Sequence, residues 1–140
     1  MSEKNVDVVR DALSRMSEGG FAAVADLIDD EFTMDSPHGV EARQAHDKAG
    51  LEEWFAKMEE VWEGGLRFEL EELIALDDEQ VLAAVRTGGR GQGTGIELDQ
   101  MIFHLSRVRE GRIVRLTTHS TREDALAAAG QIEPGERSAS

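Results

Sequence analysis

The chain has no cysteine, which removes disulfides, thiolate metal sites and thiol nucleophiles from consideration. It is also poor in cations. Against 29 Asp and Glu stand 15 Lys and Arg, a formal net charge of −14 at pH 7, and so negative a surface repels phosphate backbones and anionic lipids. The arginines are spread from Arg10 to Arg137 without clustering in the sequence, so neither a nucleic-acid nor a membrane partner is expected. Long apolar runs are missing as well. The opening "MSEKNVDVVRDAL" carries charges where a signal peptide needs an apolar core, and no later stretch approaches a membrane span. The expected location is cytoplasmic.

What is present suits one soluble domain. At 140 residues, 40% hydrophobic and 31% charged, the chain can bury a core without covalent or metal staples. Val6, Val9, Leu13 and Met16 recur at helical spacing, with Asn5 as a cap and Gly19-Gly20 as a stop. Phe21, Val24, Leu27 and Ile28 predict a second short helix, and "FTMDSP" a short strand ending at Pro37. In "DKAGLEEWFAKMEEVWEGG", Leu51, Trp54, Phe55, Met58, Val61 and Trp62 form one apolar helical face and the glutamates the opposite one.

After Gly64-Gly65 the apolar period changes from helical to alternating, and helices give way to strands. Four are predicted, around Leu66–Leu76, "QVLAAVRT", "IELDQMIFHLSRVR" and "RIVRLTTH". A bulge is expected at Glu71-Glu72 and a tight turn at Glu110-Gly111. The stretch "STRE" reads as a capping box, with Ser120 as cap and Glu123 reaching back, opening a last helix. Helices first and meandering strands later predict an α+β domain. Residues 131–140 lack an apolar period and read as a disordered tail behind a single domain of residues 1–130.

Several constellations invite chemistry. The glycine run "TGGRGQGTG" offers no phosphate-binding spacing and joins strand to strand, so it predicts a bend, a bulge or close backbone approach. His38, His46, His104 and His119 show no ligand spacing, so no metal is expected. Ser36 lies outside any nucleophile elbow. His104 is the exception of interest. On its strand it shares parity with Gln100, Ile102 and Ser106, while Met101, Phe103 and Leu105 share the other, so both faces are apolar. Helices cover one face, and the second predicts a homodimer through the sheet. A histidine in such a stretch is more often a satisfied core residue than an acid or base; the functional reading is an imidazole that hydrogen-bonds a buried ligand.

Taken together, "LIDDEFTMDSP", the long Trp-bearing helix and "VREGRIVRLTTHSTREDALAAAG" resemble a SnoaL-like member of the nuclear-transport-factor-two-like superfamily, which includes polyketide cyclases, steroid isomerases and epoxide hydrolases. The resemblance implies a cone-shaped curved antiparallel sheet wrapped around N-terminal helices and one long helix, with a central pocket and sheet-to-sheet homodimers. Matched at Pro37, the steroid isomerase pattern places its general-base aspartate at Ser36, beside Asp35. Its oxyanion-hole tyrosine falls near Ala12 and its protonated aspartate at His104, and this chain has no tyrosine. The Asp-Arg-Asp set of epoxide hydrolases is not evident.

The expected function is therefore binding of a small apolar molecule, with isomerase, cyclase or hydrolase chemistry open. If a reaction occurs, His104 acts as acid or base with Ser36 or Asp35 assisting. The expected ligand contacts are Met34, His38, Trp54, Met58, Trp62, Gln100, Ile102, Ser106, Leu116 and Thr118, with no cofactor and no metal. Ser36 is expected to face the pocket, Asp35 to face outward and His38 to sit on the rim. The alternative is a non-catalytic dimerisation or regulatory module whose pocket is filled by its own side chains. A cavity below the few hundred Å3 typical of ligand sites would favour it.

Overall fold

The computed structural model describes residues 2–36, 43–45, 47–63 and 67–130. One helix, α1 (Ser2–Val24), stands where two were expected, followed by a 3-10 turn at Ala25–Leu27. Gly19-Gly20 does not stop it. Each helical glycine costs about 1 kcal/mol relative to alanine, and the packing of the next turn outweighs that: Val24 is fully buried and the Phe21 ring lies 6.1 Å from that of Phe55. Asn5 is not a cap but a tertiary clamp, its Nδ2 donating to the Asp78 carbonyl at 2.6 Å. Twelve residues on, Ser17 Oγ donates to the Phe68 carbonyl at 2.6 Å. The two bonds fasten α1 across the sheet.

The sheet has six strands, β1 (Ile28–Ser36), β2 (Arg43–Ala45), β3 (Arg67–Ala75), β4 (Gln80–Arg90), β5 (Glu97–Arg109) and β6 (Arg112–His119), in the order β2-β1-β6-β5-β4-β3. The α+β class and the curved, unclosed sheet agree with expectation. The sheet is mixed, however, because β1 runs parallel to β6. That follows from connectivity: β1 leaves the sheet before α2 (Lys48–Val61), and its neighbour returns only at the end of the meander. β2 is a short strand the sequence reading missed.

The tryptophan helix α2 is capped by Asp47, whose side chain accepts from the Gly50 N–H at 2.8 Å. Leu51, Trp54 and Phe55 are buried as its period requires, whereas Val61 is 49% exposed, contrary to expectation, because the helix ends there. Its carbonyl accepts from the Gln92 N–H at 2.9 Å and Trp62 bridges to Gly91, so the end of α2 is tied to the glycine hairpin. The hairpin joins β4 to β5, and Gly93 and Gly95 adopt φ of 75° and 72°, which only glycine takes without strain. The bulge in β3 falls between Leu70 and Glu72, as predicted.

The cap of α3 (Arg122–Ala128) is Thr121, one residue beyond the expected Ser120, and it accepts from the Asp124 N–H at 3.1 Å. This helix packs against β5 and β6, with Ala125 fully buried. Arg122 pairs with Glu72 and lies over the Phe103 ring at 5.5 Å, while Gln80 Nε2 donates to the Ala129 carbonyl at 3.0 Å. Part of the second apolar face is thus covered within one chain.

Folding also gathers arginines that the sequence spreads out: Arg107 stands opposite Arg115 and Arg109 opposite Arg112 in the β5–β6 register. Glu79 bridges Arg107 and Arg109 at 2.7 and 3.0 Å, offsetting the like-charge pairing. No helix among the described residues is long and apolar enough to cross a membrane. The tail at 131–140 lies outside the described residues.

Candidate functional site

Alternation on the central strands decides what faces the helices. On β5 that face carries Gln100, Ile102, His104, Ser106 and Val108, opposite Thr87, Val85, Ala83 and Val81 of β4. On β6 it carries Leu116 and Thr118, paired with Ser106 and His104. Met34 of β1 stands beside Leu116. The helices close over this surface from above.

A cavity of about 50 Å3 remains between them. Val9, Ala12, Leu13, Met16 and Val24 of α1 form one wall, and Leu51, Trp54 and Phe55 of α2 another. The sheet supplies Ile28, Phe32, Met34, Phe68, His104, Ser106, Ile113 and Leu116. None of the described lining residues is Asp, Glu, Lys or Arg, and His104 is the one ionisable side chain among them. That residue is 3% exposed, lies between Ala83 and Thr118 in register, and meets the edge of the Phe68 ring at 6.4 Å. Ser106 is equally buried.

Of the residues singled out in the sequence, Met34, Trp54, His104, Ser106 and Leu116 line this cavity together. Ile102, Thr118 and Gln100 share the inner face without reaching the cavity wall. Met58 packs against the core from α2, and Trp62 is buried at the helix end, so neither is part of the lining. Asp35 stands opposite Gln44 and Ser36 opposite Arg43 in the β1–β2 register. Their side chains, and His38 altogether, lie outside the described residues. The reading of the sequence missed the contribution of α1. Its signal was present, since Val9, Leu13 and Met16 occupy one helical face, but nothing local says that this face meets a cavity rather than solid core.

Two buried polar atoms have no hydrogen-bond partner among the described residues, Thr118 Oγ1 and Gln100 Nε2. Such groups are uncommon in folded proteins and each needs a reason. Among the described residues no three His, Asp or Glu side chains converge as a metal ion would require.

Among the described residues the groups whose ionisation is perturbed lie elsewhere, at the β3–β4 turn and on β4. Asp77 is held below its ordinary value chiefly by the hydrogen bond from Gln80 and next by the Glu79 N–H. Glu79 is lowered by Arg109 and then Arg107. Arg86 is raised by Asp99. These contacts shape the turn and the sheet surface, not the cavity.

The sequence profile of the SnoaL-like domain matches residues 9–116. No curated protein matches the chain by sequence. Among solved structures, Bal32a from a soil-derived mobile gene cassette superposes with a TM-score of 0.75 at 20% identity, covering 89% of this chain and 95% of that one. A hypothetical protein of ketosteroid isomerase-like fold from Catenulispora acidiphila, in complex with trimethylamine, gives 0.71 at 14% identity over 90% and 94%. A SnoaL-like protein from Jannaschia sp. CCS1, described as a putative polyketide cyclase, gives 0.68 at 15% identity over 94% of each chain. At these identities the likeness shows the fold.

Proposed function

The chain belongs to the SnoaL-like domain family, and from that premise we propose that it binds a small, mostly apolar molecule inside the cone, between α1, α2 and the inner face of the sheet. The observation that carries this reading is the mismatch between the walls and the polar groups set among them. A core built only for stability gains little from the polar side chains of His104 and Ser106 lining an otherwise apolar cavity, both 3% exposed, because burying a polar group costs free energy that its bonds at best offset. A bound molecule with one polar handle gives them a purpose, and the apolar walls supply the remaining affinity.

If turnover accompanies binding, His104 is the acid or base, since it is the one titratable side chain among the described residues of the lining. Ser36 and Asp35 assist in that reading from the end of β1. The Catenulispora neighbour, solved with trimethylamine, supports the idea that this fold accepts ligands of only a few heavy atoms.

A second reading is favoured by one number. The cavity of about 50 Å3 is well below the roughly 300–1,000 Å3 of drug-sized ligand sites, as expected of a non-catalytic dimerisation or regulatory module filled by its own side chains. The homodimer of either reading would use the part of the outer face that α3 leaves open, around Ile74 and Met101.

Native mass spectrometry of the protein as purified, set against its denatured mass, separates the two. A reproducible small additional mass supports binding. Its absence, together with no uptake from a panel of small apolar compounds, supports the filled module.

A further inference from the structure

We propose that the outer face of the sheet carries a separate site, a pocket between β4, β5, β6 and the end of α3 that takes the carboxylate of a short-chain organic acid. It lies on the side of the sheet away from the cone, so it stands or falls apart from the binding proposed above. Alternation puts Leu105 and Arg107 of β5 on this face, directly opposite Thr117 and Arg115 of β6. Gln80 of β4 stands beside Arg107 in the same row. Together with Ala128 at the end of α3, these residues line a pocket of about 60 Å3, room for a group of a few heavy atoms. No Asp or Glu is among its described lining residues.

Two arginines facing each other across neighbouring strands need a reason, since like charges so placed are destabilising. Glu79 answers for one of them. It accepts from Arg107 Nη1 at 2.7 Å and from Arg109 Nε at 3.0 Å. Arg115 has no ion pair or hydrogen bond among the described residues, so its donors are left for an acceptor from outside. Gln80 is wall rather than ligand contact: its Nε2 donates to Asp77 Oδ2 at 2.7 Å and to the Ala129 carbonyl at 3.0 Å, which spends both donors and holds the end of α3 over the pocket. The Thr117 hydroxyl shares a hydrogen bond with His119 Nε2 at 2.8 Å and keeps capacity for one more.

The chemistry of the lining selects within the anions. A guanidinium offers paired N–H donors in the plane that a carboxylate fits. Leu105, 7% exposed, and Ala128 supply an apolar floor for a short hydrocarbon end. Inorganic phosphate would leave that floor without a partner and would bring a second negative charge, for which the pocket holds no second unpaired cation. A monoanionic acid with two or three carbons meets both halves.

The test uses the full chain at pH 7 and constant ionic strength, with propionate, inorganic phosphate and propylammonium as probes. Amide-resolved NMR titrations are run on the wild type, Arg115→Gln and Arg112→Gln. Propionate should shift the amides of Arg115, Thr117 and Ala128 saturably, with an affinity of about a millimolar or tighter, and the other two probes should bind more weakly or not at all. Arg115→Gln should weaken propionate about tenfold or more, the worth of hydrogen bonds to a charged group. Arg112→Gln removes the same charge from the same hairpin but outside the pocket, and should leave the affinity little changed. Both arginines are exposed, so neither substitution disturbs the core. The proposal is overturned if propionate gives no saturable shift, if phosphate or propylammonium binds as tightly as propionate, or if Arg112→Gln costs as much as Arg115→Gln.

Discussion

Thr118→Val in the ligand-free protein should raise stability, an unusual direction for a change at a fully buried residue. The hydroxyl is buried without a partner, and leaving a polar group so placed costs about 1–3 kcal/mol. Valine preserves the volume, suits a central strand, and puts a methyl where the oxygen now sits, on the inner face beside His104. A gain of about 1–2 kcal/mol follows, or roughly 3–8 °C in Tm for a chain of this size. The serine variant makes the control. It keeps the oxygen and removes the methyl, so it should lose about 1 kcal/mol. Urea unfolding at pH 7 measures both, provided the slope m is unchanged. A valine variant that is neutral or less stable than the wild type would mean that the hydroxyl has a native partner, and the reasoning would be refuted.

Other expectations follow from the same contacts. Trp54→Ala should cost about 3–5 kcal/mol, because the side chain is 3% exposed and forms a cavity wall; denaturant unfolding reads the loss, and a change under 1 kcal/mol would show the wall to be loosely packed. Asn5→Ala removes the bond from α1 to the Asp78 carbonyl and should cost about 1 kcal/mol, with faster amide exchange in the first turns of α1. Asp77 and Glu79 are held below their ordinary values of 3.8 and 4.5. Their contribution is present above those values and lost as pH falls through the lower folded ones, so the urea midpoint should drop as pH falls below 4.5. Asp77→Asn should flatten that fall, and an unchanged slope would remove the assignment.

The layout of the fold was legible where the local period was strong. Leu51, Trp54 and Phe55 show α2 without ambiguity, and the alternation of Ile102, His104 and Ser106 sets the inner face of β5. The failures share a cause, which is that tertiary packing decided them. Gly19-Gly20 reads as a stop, yet Val24 and Phe21 find partners that carry α1 through it. Asn5 reads as a cap, yet its amide is worth more to the Asp78 carbonyl. The parallel pairing of β1 with β6 has no local signal at all, because the partner lies some eighty residues on. For the site, parity placed His104 and Ser106 on the cavity face correctly. It did not separate Thr118, which does not line the cavity, from Leu116, which does. Where the helices leave space over a face is a property of three packed elements and cannot be read from one strand.

The central claim is that the space between α1, α2 and the sheet takes up a small molecule. Methionine methyl NMR tests it most directly, since Met16 and Met34 line that space while Met101 lies on the opposite face of β5. Titration with cyclopentanone should shift the Met16 and Met34 methyl signals saturably and leave Met101 in place. Methyl signals of Met16 and Met34 that stay fixed at saturating ligand, or a drift of all methionines alike, would contradict the account.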